Sequence, residues 1–140
     1  MSSRKDLRSL LQESNYKVTA ARVSLLDLLR KSKKPLSVRQ IKNRLGDSID
    51  QVTIYRTLKS FRDRGLVRQI DLHHAHSYYE MIEGKDHHHL VCTQCGRIED
   101  FTECYVEEIA KIVLKKSKSF DRITEHALEL FGICKPCQQN

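Results

Sequence analysis

Two Cys-x-x-Cys pairs, Cys92-Thr93-Gln94-Cys95 and Cys134-Lys135-Pro136-Cys137, constrain this chain more than any other feature. Each pair can present two thiolates to one ion at ~2.3 Å, and the two together make a closed site of the structural-zinc kind, with no open position. Zinc held in this way would tie residues 134–137 to the segment around residue 95. Five cysteines cannot all pair within one chain, and these spacings suit metal binding in a reducing compartment better than a disulfide framework. Cys104 is left over and reads as a small apolar residue packed at the start of a helix.

The length of 140 residues suits one ordinary domain or two small ones. The charge distribution favours two. Residues 1–84 carry 17 basic and 9 acidic side chains, whereas residues 85–140 carry 8 and 9. The field that attracts polyanions therefore belongs to the first part alone. No histidine precedes His73, and all seven lie with the five cysteines in the second half. The expected division is a basic domain over 1–83 and a metal-ligand-rich domain over 84–140, with the change near Glu83-Gly84-Lys85. No run approaches the ~18 apolar residues of a membrane span, and Met1 to Asn15 is too charged for the apolar region of a signal peptide, so the chain reads as cytoplasmic.

Four amphipathic segments occupy the first 65 residues. The first, about Arg4 to Ser14, sets Leu7, Leu10 and Leu11 on one stripe. Thr19 can cap the second, which carries Arg22, Val23, Leu26 and Leu29 until the basic stretch Lys31-Ser32-Lys33-Lys34-Pro35 breaks it. Ser37-Val38-Arg39-Gln40 is a capping box opening a short third helix with Ile41 and Leu45 inward, and Gly46 stops it. Asp50 caps the fourth, about Gln51 to Arg64. Val52, Tyr55, Leu58 and Phe61 recur there every three residues and are expected inward, leaving Gln51, Thr53, Arg56 and Lys59 outward.

After Gly65 the period falls to two. Leu66–Ile70 and Ser77–Met81 read as strands around the turn Leu72–His76. Two short helices, the second with polar and basic residues exposed, followed by a hairpin, have the order of a winged helix-turn-helix, which inserts its second helix in the major groove. A small helical bundle that binds no nucleic acid would share the helical spacing, and the excess positive charge of this half decides for nucleic acid. The second half reads as strand, turn, strand, helix, strand: His87–Cys92, Thr93–Gly96, Arg97–Phe101, Glu103–Lys116 and Arg122–Phe131. The fold class is thus α+β.

Asp86-His87-His88-His89 places three histidines on a strand. Alternation sends His87 and His89 to one face and Asp86 and His88 to the other, so two sites follow rather than one. Glu80, Asp100, Glu107 and His126 are candidates to complete them, His126 being inward with Leu128 and Leu130 by the period-two pattern.

At these residues the chain resembles the ferric uptake regulator family, dimeric bacterial repressors that bind operator DNA when charged with metal. Lys17-Val18-Thr19-Ala20-Ala21-Arg22 is similar to the family's opening motif. Val52-Thr53-Ile54-Tyr55-Arg56-Thr57-Leu58 is similar to its recognition helix, and His87-His88-His89-Leu90-Val91-Cys92-Thr93-Gln94-Cys95-Gly96 to its most specific signature.

The resemblance implies a winged-helix domain followed by a small α/β dimerisation domain. It implies structural Zn2+ at Cys92, Cys95, Cys134 and Cys137, and a regulatory ion, Fe2+, Mn2+ or Zn2+, at Glu80, His87, His89 and Asp100. An additional site would use His88, Glu107 and His126, with Asp86. Operator DNA would meet Lys17, Arg22, Gln51, Thr53, Tyr55 and Arg56. The family usually adds a regulatory histidine just before the third helix, where this chain has Pro35, so His73, His74 or His76 is the candidate replacement. Asp100 resembles the peroxide-sensing branch, where iron sensors often have Glu.

Two other classes are weighed against a metal-dependent repressor. A zinc hydrolase or deaminase would need an open metal position and a motif such as His-x-Glu or HExxH, which the sequence lacks. A structural zinc protein that binds nucleic acid without sensing would show metal-independent operator affinity.

Overall fold

A computed structural model describes residues 6–71 and 76–139. The chain divides into two compact units, residues 1–83 and 84–140. It mixes helices with two three-stranded sheets.

The first unit is a winged helix-turn-helix built from α1 (Leu7–Glu13), α2 (Ala20–Lys31), β1 (Leu36–Ser37), α3 (Val38–Leu45), α4 (Gln51–Asp63), β2 (Val67–Asp71) and β3 (Ser77–Met81). Its helix boundaries follow local chemistry. The Thr19 hydroxyl accepts the Arg22 N–H at 3.3 Å, and Ser37 and Gln40 cap α3 reciprocally. Gly46 ends α3 at φ 67°, a region closed to most side chains. Asp50 caps α4 twice, accepting the Thr53 N–H at 2.9 Å and its hydroxyl at 2.7 Å.

The helices that these caps begin each turn one face inward. Leu11, Leu25, Leu26, Ile41, Ile54, Leu58 and Phe61 are wholly buried and form one core. On α4 the buried stripe is Ile54, Leu58 and Phe61, whereas Val52 is 57% and Tyr55 49% exposed. This corrects the expectation that all residues at three-residue steps point inward. At about 100° per residue, nine residues turn through two and a half turns and bring Val52 opposite Phe61, while steps of four and three hold one face.

The wing is a hairpin in which Val67 pairs with Met81 and Asp71 with Ser77. The sequence reading missed β1. Leu36 and Ser37 pair with Tyr79 and Tyr78, giving the strand order β1-β3-β2. A two-residue strand directly before a capping box has no periodicity to detect. The wing turn and two of the proposed replacement ligands, His73 and His74, lie outside the described residues; His76 is exposed.

The second unit contains β4 (His88–Cys92), β5 (Ile98–Phe101), α5 (Val106–Lys116), β6 (Glu129–Gly132) and α6 (Lys135–Gln138). β4 is central, antiparallel to β5 and parallel to β6. The long final strand expected over Arg122–Phe131 shrinks to Glu129–Gly132. Among the described residues this unit buries only His88, His89, Val91, Cys92 and Ile98, and α5 buries none. So small a core cannot carry a domain by burial alone and calls for metal, a partner, or both. No helix among the described residues is long and apolar enough to cross a membrane.

Candidate metal centres and nucleic-acid interface

The two Cys-x-x-Cys pairs meet at one end of the second sheet. Cys92 closes β4 and Cys95 sits in the turn to β5, which the Gly96 N–H closes on the Cys92 carbonyl at 2.9 Å, with Gly96 at φ 75°. Cys134 caps α6, where Pro136 occupies an early position that needs no N–H. The four sulfurs lie within 4.8 Å of one another, and Cys95 Sγ is 3.6 Å from Cys134 Sγ. Tetrahedral ligation at ~2.3 Å requires sulfurs ~3.8 Å apart. The set therefore fits zinc.

The protons on these thiols support the same reading. The Cys134 N–H donates to Cys92 Sγ at 3.3 Å and, with the Cys95 N–H, draws the Cys92 thiol down to about 6. Cys137 is pushed up to about 12, first by its bond with the Cys134 thiol and then by burial. Four sulfurs this close cannot all be thiolates without a cation among them.

The histidine strand has two occupied faces. His89 is 1% exposed, its ring centroid 5.0 Å from that of His87 and its Nε2 3.8 Å from Asp100 Oδ1, the residue opposite it on β5. His87 Nδ1 lies 3.3 Å from the Lys85 carbonyl. A proton donated there leaves Nε2 to accept a metal. Glu80 stands on β3, opposite Arg68, whose Nη1 is 3.7 Å from Glu80 Oε1. Pro35 is buried at the entry to β1.

On the other face His88, 6% exposed, packs 5.4 Å from the Phe101 ring and 5.2 Å from the His126 ring. His126 is exposed and outside any strand, not inward as its sequence pattern suggested. Cys104 is exposed as well, and its Sγ is 3.6 Å from His126 Nε2. His88, Cys104 and His126 come within 4.8 Å of one another, a set to which neither Asp86 nor Glu107 belongs. The reading of Cys104 as an apolar packing residue is thereby overturned. The helix begins at Val106 rather than at Glu103, which leaves Cys104 in irregular chain.

The helix that follows Asp50 exposes Gln51, Val52, Thr53, Tyr55, Arg56 and Lys59 as one face. The Thr53 hydroxyl is engaged by Asp50. Lys17 is exposed, but Arg22 donates to the Lys17 carbonyl at 2.6 Å and stacks on Tyr16 at 5.3 Å. Sequence reading also missed Tyr16 as an organiser. Its ring meets Phe61 edge-on at 5.2 Å, its hydroxyl is 2.6 Å from Ser60 Oγ, and Arg64 stacks on it at 4.2 Å.

This arrangement, two units with metal-binding side chains gathered in the second, matches known proteins. Residues 13–131 fit the model of the ferric uptake regulator family. The chain belongs to that family. It is 33% identical over 132 residues to the ferric uptake regulation protein of Legionella pneumophila, covering 91% of this chain and 96% of that relative. It is 30% identical to the peroxide-responsive repressor PerR of a Staphylococcus aureus strain, covering 91% and 86%. The crystal structure of the Vibrio cholerae ferric uptake regulator superposes with a TM-score of 0.77 at 29% identity, over 92% of this chain and 100% of that one. Members of this family are regulators, and the donor sets here, four thiolates in one place and imidazoles with carboxylates in another, suit structural zinc and a second divalent ion.

Proposed function

We propose that the chain is a metal-responsive transcriptional repressor that binds operator DNA as a homodimer once its regulatory site is filled. One observation carries the reading. A single five-residue strand, β4, ends in a cysteine of the four-sulfur cluster and holds a buried histidine, His89, beside His87 and Asp100. Zinc at Cys92, Cys95, Cys134 and Cys137 would hold the second unit together. Fe2+, Mn2+ or Zn2+ would bind His87, His89 and Asp100, with Glu80 as the further ligand that the family resemblance implies. An ion that favours one arrangement of the two units shifts the population toward it.

Each half supplies a partner surface for this reading. The exposed face of α4 offers Arg56 for guanine and Tyr55 for a thymine methyl or a phosphate. Gln51 and Thr53 stand beside them, and Lys17 and Arg22 supply backbone contacts. Tyr105, at the N-cap of α5, and Ile109, Ile112 and Val113 on it are exposed at helical spacing, an apolar stripe that a second copy would cover. Two paired basic domains would then meet half-sites about one helical turn, or a multiple, apart. The cytoplasm is the proposed site of action.

The test is fluorescence anisotropy of a labelled fragment from the protein's own promoter, with zinc-loaded protein and each added metal in turn. Addition of the regulatory metal is expected to tighten binding at least about fivefold, the low end of allosteric coupling. A high affinity that no added metal changes would overturn sensing and favour a structural zinc protein that binds nucleic acid. The Arg68 guanidinium beside Glu80 and Pro35 at the position of the family's extra histidine are the observations on that side.

A further inference from the structure

We propose that His88, Cys104 and His126 form a separate metal site of the two-imidazole, one-thiolate kind, which takes a zinc-like divalent cation and fastens the segment between α5 and β6 to the second sheet. The sequence resemblance leads one to expect Asp86 and Glu107 with these histidines. The geometry substitutes Cys104.

Three observations converge. The ligand atoms of the three residues lie within 4.8 Å of one another, and His126 Nε2 is 3.6 Å from Cys104 Sγ. Ligation at ~2.3 Å to sulfur and ~2.05 Å to nitrogen, with a tetrahedral angle between them, sets that separation at about 3.6 Å. His88 is the fixed member, 6% exposed in the central strand against Phe101. The other two come from irregular chain, Cys104 just before α5 and His126 three residues before β6, in a stretch from 117 to 128 that has neither helix nor strand.

The donor set decides the class of ion. Carboxylates with histidine would suit manganese or iron, whereas a thiolate in place of a carboxylate selects zinc, cobalt or copper(I). Three protein ligands leave a fourth position open, and two of the three are exposed, so the ion exchanges more readily than one in the closed four-sulfur cage. Its role follows from position. Residues 117–128 are exposed almost throughout and form no helix or strand, and an ion shared by their His126 with the strand's His88 ties them to the sheet. A bare thiol–imidazole hydrogen bond would also bring sulfur and nitrogen to 3.6 Å, and the experiment separates the two.

Protein with one zinc retained per chain is titrated with Co2+ while zinc content is followed by elemental analysis. A thiolate-to-cobalt charge-transfer band is expected to grow with one equivalent while the zinc stays bound. His87 and His89 carry no sulfur, so cobalt at their site adds no such band. Cys104→Ser is expected to abolish the band and weaken this class of Co2+ binding at least about tenfold, and His126→Ala to weaken it comparably. Glu107→Gln and His89→Ala should leave the band intact. The proposal is overturned if cobalt binds without the band, if the band survives Cys104→Ser, or if Glu107→Gln alone removes the binding. Because the readout uses no DNA, loss of operator binding with an intact band would count against the proposed function and not against this site.

Discussion

Cys95 Sγ lies 3.6 Å from Cys134 Sγ across 39 residues of chain, and the two residues bring both halves of the four-sulfur cluster to one place. Removing one sulfur leaves three thiols that cannot close the cage. Cys134→Ser is therefore expected to release the zinc and to unfold residues 84–140 while residues 1–83 stay folded, as read by elemental analysis and by amide hydrogen exchange in each unit. Retention of zinc with full protection in the second unit would contradict the assignment.

The same cluster sets a pH dependence. With Cys137 pushed up to about 12 and Cys92 drawn down to about 6, zinc entering at neutral pH must displace protons, from Cys137 first among them. Zinc affinity is expected to fall as pH falls, and calorimetry in buffers of different ionisation enthalpy should detect the protons released. A buffer-independent heat would show that the thiols were already ionised.

Asp50 gives a second pH test, in the first unit. Its carboxyl is held below 3.8 by the Thr53 N–H and then by the Thr53 hydroxyl. The charged form is favoured by folding, so its contribution is complete above the unfolded value and disappears as pH falls through the lower folded one. The Tm difference between the native chain and Asp50→Ala is expected to be constant near neutral pH and to shrink below about pH 4. A difference that stays constant to pH 2 would assign the effect to something other than the cap's charge.

On the exposed face of α4, Arg56→Ala is expected to cost about 1–3 kcal/mol of operator binding and to relax base preference, whereas Lys17→Ala should weaken all sequences alike. Arg22→Ala is expected to lower stability too, because Arg22 braces the Lys17 carbonyl and the Tyr16 ring. Binding to specific and random DNA, measured beside thermal melts, separates these effects. Equal losses on both DNAs for Arg56→Ala would remove its base-reading role.

For the histidine strand, His89→Ala is expected to abolish the metal-stimulated increase in operator affinity while the four-cysteine zinc stays. His88→Ala should leave most of that increase and instead lower the stability of the second unit, because its ring packs against Phe101 and His126. A reversed pattern in anisotropy and melting would interchange the roles of the two faces.

Much of this protein is decided by local chemistry that a sequence displays. Thr19, the Ser37–Gln40 capping box and Asp50 fix helix starts within a few residues, and Cys-x-x-Cys spacing and the alternation of His87, His88 and His89 depend only on backbone geometry. Tertiary structure decided what spacing could not. A run of apolar residues at three-residue steps is compatible with either face of α4, and only packing against the core chose Ile54, Leu58 and Phe61 over Val52 and Tyr55. The two-residue strand β1 is defined only by its pairing with Tyr79 and Tyr78, which lie more than 40 residues away in the chain. Cys104 and His126 are 22 positions apart, and both lie outside helix and strand although the sequence pattern placed one in each. Their meeting depends on where the chain runs between α5 and β6, a long-range choice set by the whole sheet and carried by no short stretch of sequence.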